Sequence, residues 1–302
     1  MNISIPGILL GLGAKCLLSW ALVFLQRNHI CRSFVGVFSV SLAVVDTALT
    51  LTFTTIYIDS DGHVFLLDLQ LTRYHTCLLA QIFGQVYSAL QWPVVVVASL
   101  DHLCTMSLQP SACGAKWIVH SVVTVLMWYL AALYVFLLSD FIPVLEDVPH
   151  HQMHQCWVFH TTQISQIAML LFLVLGCAAL HAVCSTRLLK NPPLRGQSTD
   201  HSRTHSRTNV AGQALRIFLD TWALFLILLA VLLLVPMEIP AYLGLNVAWL
   251  CLVNSFLIAV LFCVVCPTSQ LANGSAAVPP DSFCEWRLNL AWEQRTEHDC
   301  TK

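Results

Sequence analysis

The sequence predicts an all-α membrane protein: a bundle of seven transmembrane helices with its N-terminus outside the cell and its C-terminus in the cytoplasm. Three observations predict this fold class. Of the 302 residues, 57% are hydrophobic and only 10% are charged, whereas a soluble domain carries about 25% charged residues. The chain contains seven apolar runs of membrane-spanning length, and its basic residues fall almost entirely in alternate connections between those runs.

Each apolar run has about 19 residues or more, enough for a helix to cross a hydrocarbon core ~30 Å thick. In lipid, only a helix satisfies all backbone groups within one such segment. The runs are Ile3–Leu25, Phe34–Ile58, Cys77–Cys104, Trp117–Leu138, His160–Cys184, Ile217–Val235 and Ala241–Cys266. The first run has no basic stretch before it and contains Lys15, so we interpret it as a signal-anchor helix. The seven-helix domain is predicted over residues 1–266.

The distribution of lysine and arginine predicts the orientation, because cytoplasmic connections are enriched in these residues. With the N-terminus outside, the outer connections hold one basic residue, Arg73, and are otherwise acidic. The inner connections hold nine basic residues: Arg27, Arg32, Lys116, Arg187, Lys190, Arg195, Arg203, Arg207 and Arg216. The opposite orientation would reverse this imbalance, so the N-terminus is predicted outside and the tail inside.

Two long connections and the tail lie outside the predicted helices. The inner connection Ser185–Gly212 is basic and polar, which favours a mobile segment near anionic lipid over a partner or phosphorylation site. The outer connection Asp140–Phe159 is followed by a further histidine, and the clustered histidines here are His150, His151, His154 and His160. Their spacing resembles that of metal ligands, but no partner completes a four-ligand set, so no metal site is predicted.

The cytoplasmic tail, residues 267–302, has three apolar side chains on one helical face. They are Phe283, Trp286 and Leu290. The tail is predicted to be either an amphipathic helix on the inner leaflet or a disordered extension, and the two alternatives are equally supported.

Charged residues within apolar runs are informative, because each costs about 2.5 kcal/mol or more on insertion scales. They are Lys15, Asp46 and Asp220, with Asp101 at the inner end of the third run. Asp46 must face the interior, and two hypotheses stay open: a switch or cation site, and a structural polar contact. Lys15 is expected either to snorkel or to pair with a carboxylate. A pair with Arg216, four residues earlier, accounts for Asp220.

Thirteen cysteines are present without a Cys-x-x-Cys pair, so most are expected to be small apolar helix residues. Cys77 and Cys156 differ, because both are predicted to lie outside the cell, where a disulfide persists. A bridge between them would hold the second outer connection across the mouth of the third helix. Two unpaired thiols are the less favoured alternative.

These features together resemble the rhodopsin-like (class A) G-protein-coupled receptors. The resemblance rests on seven helices with the N-terminus outside, on Asp46, on the two outer cysteines and on the tripeptide Asp101-His102-Leu103. Four segments resemble one orphan receptor of that family in particular. They are Ser41–Asp46, Arg73–Cys77, Ile239–Tyr242 and Val253–Ala259.

The resemblance implies roles for individual residues. Asp46 matches the helix-two aspartate that holds sodium and water, and Asn254 matches the helix-seven asparagine that faces it. Trp222 matches the toggle tryptophan below the ligand pocket, and Trp128 matches the tryptophan with which helix four packs. The two outer cysteines match the family's disulfide.

Four switch positions depart from the family pattern. His102 replaces the arginine of Asp-Arg-Tyr, so a permanently charged guanidinium becomes an imidazole of shorter reach. Leu224 and Ser255 replace the prolines of helices six and seven, and Ile258 replaces the helix-seven tyrosine. Helices six and seven are therefore expected to be straighter than in the family. Pro93 is expected to kink helix three.

The leading hypothesis is an orphan G-protein-coupled receptor of the plasma membrane that transmits an extracellular ligand signal to a heterotrimeric G protein or an arrestin, with atypical switches. The acidic outer connections favour a cationic or peptide ligand. The alternative is a non-signalling seven-helix scaffold or trafficking protein. An enzyme or transporter is disfavoured, because the histidines lie mostly in loops and no internal repeat is found. Membrane lipids are expected partners, and no cofactor, metal or nucleic acid is expected.

Overall fold

The structure is a computed structural model, and it describes most of the helical part of the chain. The described residues are 2–26, 30, 33–58, 64–66, 69–71, 73–107, 113–138, 155–159, 161, 163–190, 218–234 and 239–265. Seven long helices lie within them: α1 Ile5–Leu25, α2 Phe34–Ile58, α3 Arg73–Ser107, α4 Cys113–Leu133, α5 Gln163–Lys190, α6 Phe218–Leu234 and α7 Val247–Val265. A π-helical segment, Tyr134–Leu138, continues α4, and a single helical turn, Ala241–Gly244, precedes α7.

The apolar helices make the chain a multi-pass membrane protein. Among the described residues, four helices are long and apolar enough to cross a membrane: Ile5–Leu25, Phe34–Ile58, Tyr74–Cys104 and Lys116–Leu138. Three shorter apolar helices follow: Gln163–Ala179, Phe218–Leu234 and Val247–Val260. Each of these seven segments falls on one predicted run, while seven crossings and the positions of the two termini stay predictions.

The helices belong to two compact units. The first unit comprises Met1–Cys104, Leu108–Gln163 and Glu238–Cys251, and it contains α1, α2, α4 and most of α3. The second comprises Thr105–Ser107, Ile164–Met237 and Leu252–Lys302, and it contains α6 and most of α5 and α7. Following the predicted topology, the end of the first unit near Cys77 is called the outer end, and the end near Asp101 the inner end.

Aromatic side chains fill the core of the first unit. Phe38 of α2 stacks on Trp128 of α4 with ring centroids 5.9 Å apart, and Tyr87 of α3 meets Trp128 edge to face at 6.0 Å. The indole N–H of Trp128 donates to the hydroxyl of Ser41 at 3.1 Å. Trp128 therefore joins α4 to both α2 and α3, as expected for the helix-four tryptophan.

The threonines of α2 show how a polar sequence fits an apolar run. Each hydroxyl donates to the carbonyl four residues earlier, at 2.7–2.8 Å, so none needs a partner outside the helix. The residues are Thr47, Thr50, Thr52, Thr54 and Thr55. One of them has a second contact, since the indole N–H of Trp20 on α1 donates to Thr47 Oγ1 at 2.8 Å.

The first and the last predicted runs are not helical throughout. The first run was expected to be helical from Ile3, but Asn2–Ser4 form a strand, β1, and Ser4 caps α1 by accepting from the N–H of Gly7. The last run was expected to be continuous, but it breaks at Leu245 and Asn246. Asn246 accepts from the N–H of Trp249 at 2.8 Å, so it caps a new helix inside the apolar run.

Three further strands complete the described structure. β2, Val64–Leu66, and β3, Leu69–Leu71, pair antiparallel between α2 and α3. β4, Gln155–Trp157, pairs antiparallel with β1, so that Ile3 lies opposite Cys156. The N-terminal residues are thereby attached to the second outer connection.

Candidate functional site

The outer end is held together by the predicted disulfide, which the structure confirms. Cys77 of α3 is bonded to Cys156 of β4, with their Cα atoms 5.3 Å apart, and both residues are buried. The bond joins residues 79 positions apart. It therefore fixes the strand β4 against the first turn of α3.

Hydrogen bonds attach the same segment to two other parts of the first unit. Gln81 donates from its side chain to the carbonyl of Trp157 at 2.7 Å. Two backbone bonds join it to the segment before α7: the N–H of Thr161 donates to Ile239 at 3.0 Å, and the N–H of Ala241 donates to Phe159 at 2.9 Å.

We call this arrangement the outer cap. It consists of Asn2–Ser4, residues 155–159 with Thr161, and residues 239–241. Three chain segments that are distant in sequence lie side by side in it, and the disulfide holds the middle one. The cap thus connects the N-terminus, α3 and the start of α7.

A buried ion pair lies deeper in the first unit. The ammonium group of Lys15 on α1 donates to Asp46 Oδ1 on α2 at 2.8 Å, and the hydroxyl of Tyr87 on α3 donates to the same oxygen at 2.8 Å. Lys15 is only 6% exposed and Asp46 0%. Of the two expectations for Lys15, snorkelling and pairing with a carboxylate, the structure shows the pairing.

Lys15 makes two additional contacts that satisfy its charge. Its ammonium donates to the backbone carbonyl of Tyr242 at 3.1 Å, and it lies 3.9 Å from the ring centroid of Tyr87. A cation over an aromatic face is attracted by the ring quadrupole. We call Lys15, Asp46, Tyr87 and the carbonyl of Tyr242 the ion cluster; it joins three helices and the turn before α7.

A glycine on α3 allows the turn at Tyr242 to come this close. A Cβ on Gly84 would lie 3.0 Å from Ala241 Cβ, which is tighter than an ordinary contact. Side chains at Gly84 would push the turn away from α3. The carbonyl of Tyr242 can therefore reach the ammonium group because glycine lies beside it.

The other oxygen of the buried carboxylate is not used in the same way. Asp46 Oδ2 makes no hydrogen bond within 3.5 Å among the described residues, and the buried hydroxyl of Ser19 on α1 is its polar neighbour. The cation of this carboxylate is the ammonium group of Lys15, bound through Oδ1.

The inner end contains a second polar cluster that includes Asp101. Asp101 Oδ1 lies 3.1 Å from His120 Nε2 on α4, and Oδ2 accepts from the backbone N–H of Phe34 at 3.0 Å. His102 is 3% exposed. The sequence predicted Asp101 and His102 as switch residues but missed His120, whose only signal is a histidine within the apolar run Trp117–Leu138.

The remaining switch residues lie in the second unit. Trp222 is buried and meets Phe225 edge to face at 5.8 Å, while Phe218 of α6 contacts Phe256 of α7 at 5.6 Å. Asn254 is also buried. Their roles, and the facing of Asn254 and Asp46, stay predictions.

The residues that replace the family's at the other switch positions lie in different environments. Leu224, which replaces the proline of helix six, is 85% exposed, whereas Ser255 and Ile258 on α7 are buried. Asp220 is exposed on α6, and its predicted partner Arg216 lies outside the described residues.

Several predicted features cannot be placed. The outer histidines His150, His151, His154 and His160 lie outside the described residues, and so does the tail 267–302. Within the described part of the chain, no group of three or more histidine, cysteine, aspartate or glutamate side chains could hold a metal ion.

Comparisons with known proteins identify relatives of the chain. No family model matches it, and no solved structure matches it. Three curated proteins do, all named probable G-protein coupled receptor 160. The Mus musculus protein is 28% identical over 90% of this chain and 84% of its own length, the Rattus norvegicus protein 28% over 93% and 86%, and the Homo sapiens protein 26% over 90% and 83%.

The match confirms the resemblance drawn from the sequence. It spans nearly the whole chain rather than one helix pair, and all three proteins carry the name of a probable receptor. The receptor to which the segments in helices two, three and seven were likened is this same one. The chain is thus similar, along about nine-tenths of its length, to proteins named probable G-protein coupled receptor 160.

Proposed function

We propose that this protein is a receptor of the plasma membrane that passes a signal from an extracellular ligand to a cytosolic G protein or arrestin. In this proposal seven helices cross the membrane, with the N-terminus outside and the tail in the cytoplasm. The similarity to probable G-protein coupled receptor 160 supports a receptor role. The disulfide at one end of the first unit supports placing that end in the oxidising exterior.

One observation carries the proposal: an unbroken series of contacts runs from the outer cap to the ion cluster. Residues 239–241 are hydrogen-bonded to the second outer connection, and Tyr242 follows directly. The carbonyl of Tyr242 accepts from Lys15, which is bonded to Asp46, which in turn accepts from Tyr87. A ligand that displaces the outer cap would therefore change the position of a buried charge.

A buried ion pair is a suitable element for such coupling. Its attraction is strong only at close range and in excellent geometry, so a small displacement of one partner has a large energetic effect. Packed interiors change between discrete arrangements rather than deforming continuously. We infer that the ion cluster has at least two arrangements, and that the outer cap selects between them.

The altered switch positions make the activation atypical in this proposal. The helix-two carboxylate, which the resemblance connects with sodium, is bound here to a cation that belongs to the chain itself. The aspartate of the inner tripeptide is bound to a histidine of α4 and a backbone amide of α2. The acidic outer connections support a cationic or peptide ligand, through electrostatic steering.

The test is recruitment of transducers to the full chain in living cells, measured against collections of peptides and metabolites. Biosensors for each G-protein class and for arrestins report the response. We expect at least one ligand to cause recruitment that Asp46→Asn reduces or abolishes. Leu17→Ala on α1, where the side chain is 75% exposed, is the matched control and should respond as the wild type does. Absence of recruitment with every transducer and ligand would contradict a signalling role.

A further inference from the structure

We propose that Asp101, His120 and the backbone N–H of Phe34 form a proton-dependent latch that joins the inner ends of three helices. We call these three groups the inner latch. That the latch also controls coupling to a transducer rests on the proposed function. The two statements are tested separately, because the first concerns stability and the second concerns signalling.

The geometry of the latch centres on a single carboxylate. Asp101, on α3, uses one oxygen for His120 Nε2 on α4, at 3.1 Å, and the other for the N–H of Phe34 on α2, at 3.0 Å. The side chains of Asp101 and His120 are 17% and 9% exposed. The ring of Phe34 also meets the ring of His120 edge to face at 6.3 Å. One side chain thus bonds two neighbouring helices at once.

The contact with Phe34 completes the N-terminus of α2. Ser33 precedes the helix and accepts from the N–H of Gly36 at 3.0 Å, as an N-cap residue does. The N–H of Phe34 is another of the groups that a helix leaves without an internal partner. Asp101 satisfies it, and a negative charge at this position is favoured by the helix dipole. The carboxylate is therefore held in place even when His120 carries no charge.

His120 makes the latch sensitive to protons. In the neutral ring, Nε2–H donates an ordinary hydrogen bond to Asp101. In the protonated ring, the same bond joins opposite charges, and such bonds are about twice as strong. Histidine is the side chain whose charge changes most readily between pH 5 and 8. The latch is therefore stronger in acid and weaker in alkali.

Asp101 contacts His120 directly, and the ring of Phe34 from α2 meets it. Other ionisable residues close to this pair along the described chain include His102, next to Asp101 on α3, and Lys116, one turn before His120 on α4. The first turns of α2, Phe34–Phe38, carry no ionisable side chain. The pair with Asp101 is the direct contact, so it sets the direction of the effect.

The second ring nitrogen has a candidate partner. His120 Nδ1 is buried and has no hydrogen-bond partner among the described residues, and the same holds for the hydroxyl of Thr124. Thr124 lies one turn further along the same face of α4. A water between the two would satisfy both groups and would accept the proton-bearing N–H of the charged ring.

The thermal midpoint of the purified full chain between pH 5.5 and 8 tests the latch. His120→Gln keeps a neutral donor but cannot gain a proton, and Asp101→Asn removes the charge that the proton would meet. We expect the wild-type midpoint, relative to either variant, to rise by about 2–4 °C as the pH falls. Val122→Ala, on the exposed face of α4, is the control and should keep this rise. Parallel profiles for the wild type and His120→Gln would overturn the proposal.

Hydrogen exchange of the wild type tests the latch without any substitution. After correction for the intrinsic pH dependence of exchange, the peptide that contains Phe34 should be less protected at pH 8 than at pH 6. A peptide from the middle of α2 provides the reference. Equal protection of the Phe34 peptide at the two pH values would count against the latch.

Basal transducer recruitment at clamped cytosolic pH tests the control of coupling. Because the latch holds the inner ends of α2, α3 and α4 together, recruitment by the wild type should fall as the cytosol is acidified, and His120→Gln should not show this fall. The same pH dependence in both proteins would overturn the control of coupling. A pH-dependent midpoint without any recruitment would leave the latch established and contradict the proposed function.

Discussion

At Asp46, one carboxylate oxygen carries two hydrogen bonds and the other carries none within the described residues. The ammonium group of Lys15 also donates to the backbone carbonyl of Tyr242 and lies over the ring of Tyr87. Burying either charge alone is expensive, so the pair is stable only as a pair. The stability of the first unit therefore depends on both residues together.

Lys15→Met is expected to lower the free energy of unfolding by about 3–5 kcal/mol, because it leaves the carboxylate of Asp46 buried without its cation. The double variant Lys15→Met with Asp46→Asn should regain most of that loss, since no unpaired charge remains. Thermal unfolding of the purified protein measures both. Leu17→Ala, on the exposed face of α1, is the control. A double variant whose loss equals the sum of the two single losses would contradict the pairing.

A second expectation at this residue concerns sodium. Because Lys15 already supplies a cation to Asp46, sodium chloride should stabilise the wild type no more than the chloride of a large organic cation does. Lys15→Ala removes the ammonium group and leaves space beside the carboxylate. Sodium should then raise the thermal midpoint by about 2–4 °C, for a sodium concentration several times its Kd. The further substitution Asp46→Asn should abolish that rise, and a sodium effect in the wild type would contradict the occupancy by Lys15.

The sequence predicted some of these buried polar contacts and missed others. A lysine and an aspartate in apolar runs are conspicuous, and pairing of Lys15 with a carboxylate was one of two expectations. Tyr87 was missed, because a tyrosine in an apolar run is an ordinary core residue. His120 was missed for a related reason: hydropathy shows that it lies in a helix but does not show which helix it faces.

At the scale of elements, the apolar runs predicted where the helices lie better than where they end. The break before α7 depends on Asn246, whose side chain accepts from the N–H of Trp249. A single polar residue between apolar neighbours has little effect on the mean hydropathy of the segment, so hydropathy does not reveal the break. The strand β1 was likewise missed, because Asn2–Ser4 pair with a segment more than 150 residues away and local pattern carries no information on such pairing.

The strand β1 is predicted to protect the disulfide Cys77–Cys156 from reduction. Deletion of Asn2 and Ile3 removes two of the three residues that pair with β4, while Ser4 remains to cap α1. The disulfide Cys77–Cys156, which is buried beneath this pairing, should then react faster with a small reductant. Release of the two thiols, followed by mass spectrometry under native conditions, measures the rate. We expect an increase of roughly tenfold if about 1.4 kcal/mol of protection is lost.

The matched control for the deletion retains the strand. Asn2→Ala with Ile3→Val keeps the backbone that pairs with Gln155–Trp157, so the disulfide should stay as protected as in the wild type. Equal reduction rates for the deletion and this control would mean that β1 does not protect the outer cap.

At the scale of the whole molecule, the two units have different parts in the proposal. The first contains the disulfide, the outer cap, the ion cluster and the inner latch. The second contains Trp222, Asn254 and the aromatic contact between α6 and α7. The sequence identified Asp46 and Asp101 as charges in apolar runs, and the resemblance to a family assigned roles to them and to Trp222. It could not show that Lys15 is the cation bound to Asp46 or that His120 contacts Asp101.

The chain is predicted to cross the membrane seven times, which places its two termini on opposite faces. Nine basic residues fall in the connections predicted to be inside and one in those predicted to be outside, as expected if seven apolar runs cross the membrane and the N-terminus is outside. A tag after Met1 should therefore be accessible on intact cells, while a tag after Lys302 should become accessible only after permeabilisation. The oxidised cystine provides an independent marker, because Cys77 and Cys156 must share the face that carries the N-terminus. Two tags on the same face would require an even number of crossings. One predicted helix would then fail to span, and the inner latch and the outer cap would no longer lie on the faces on which the receptor proposal depends.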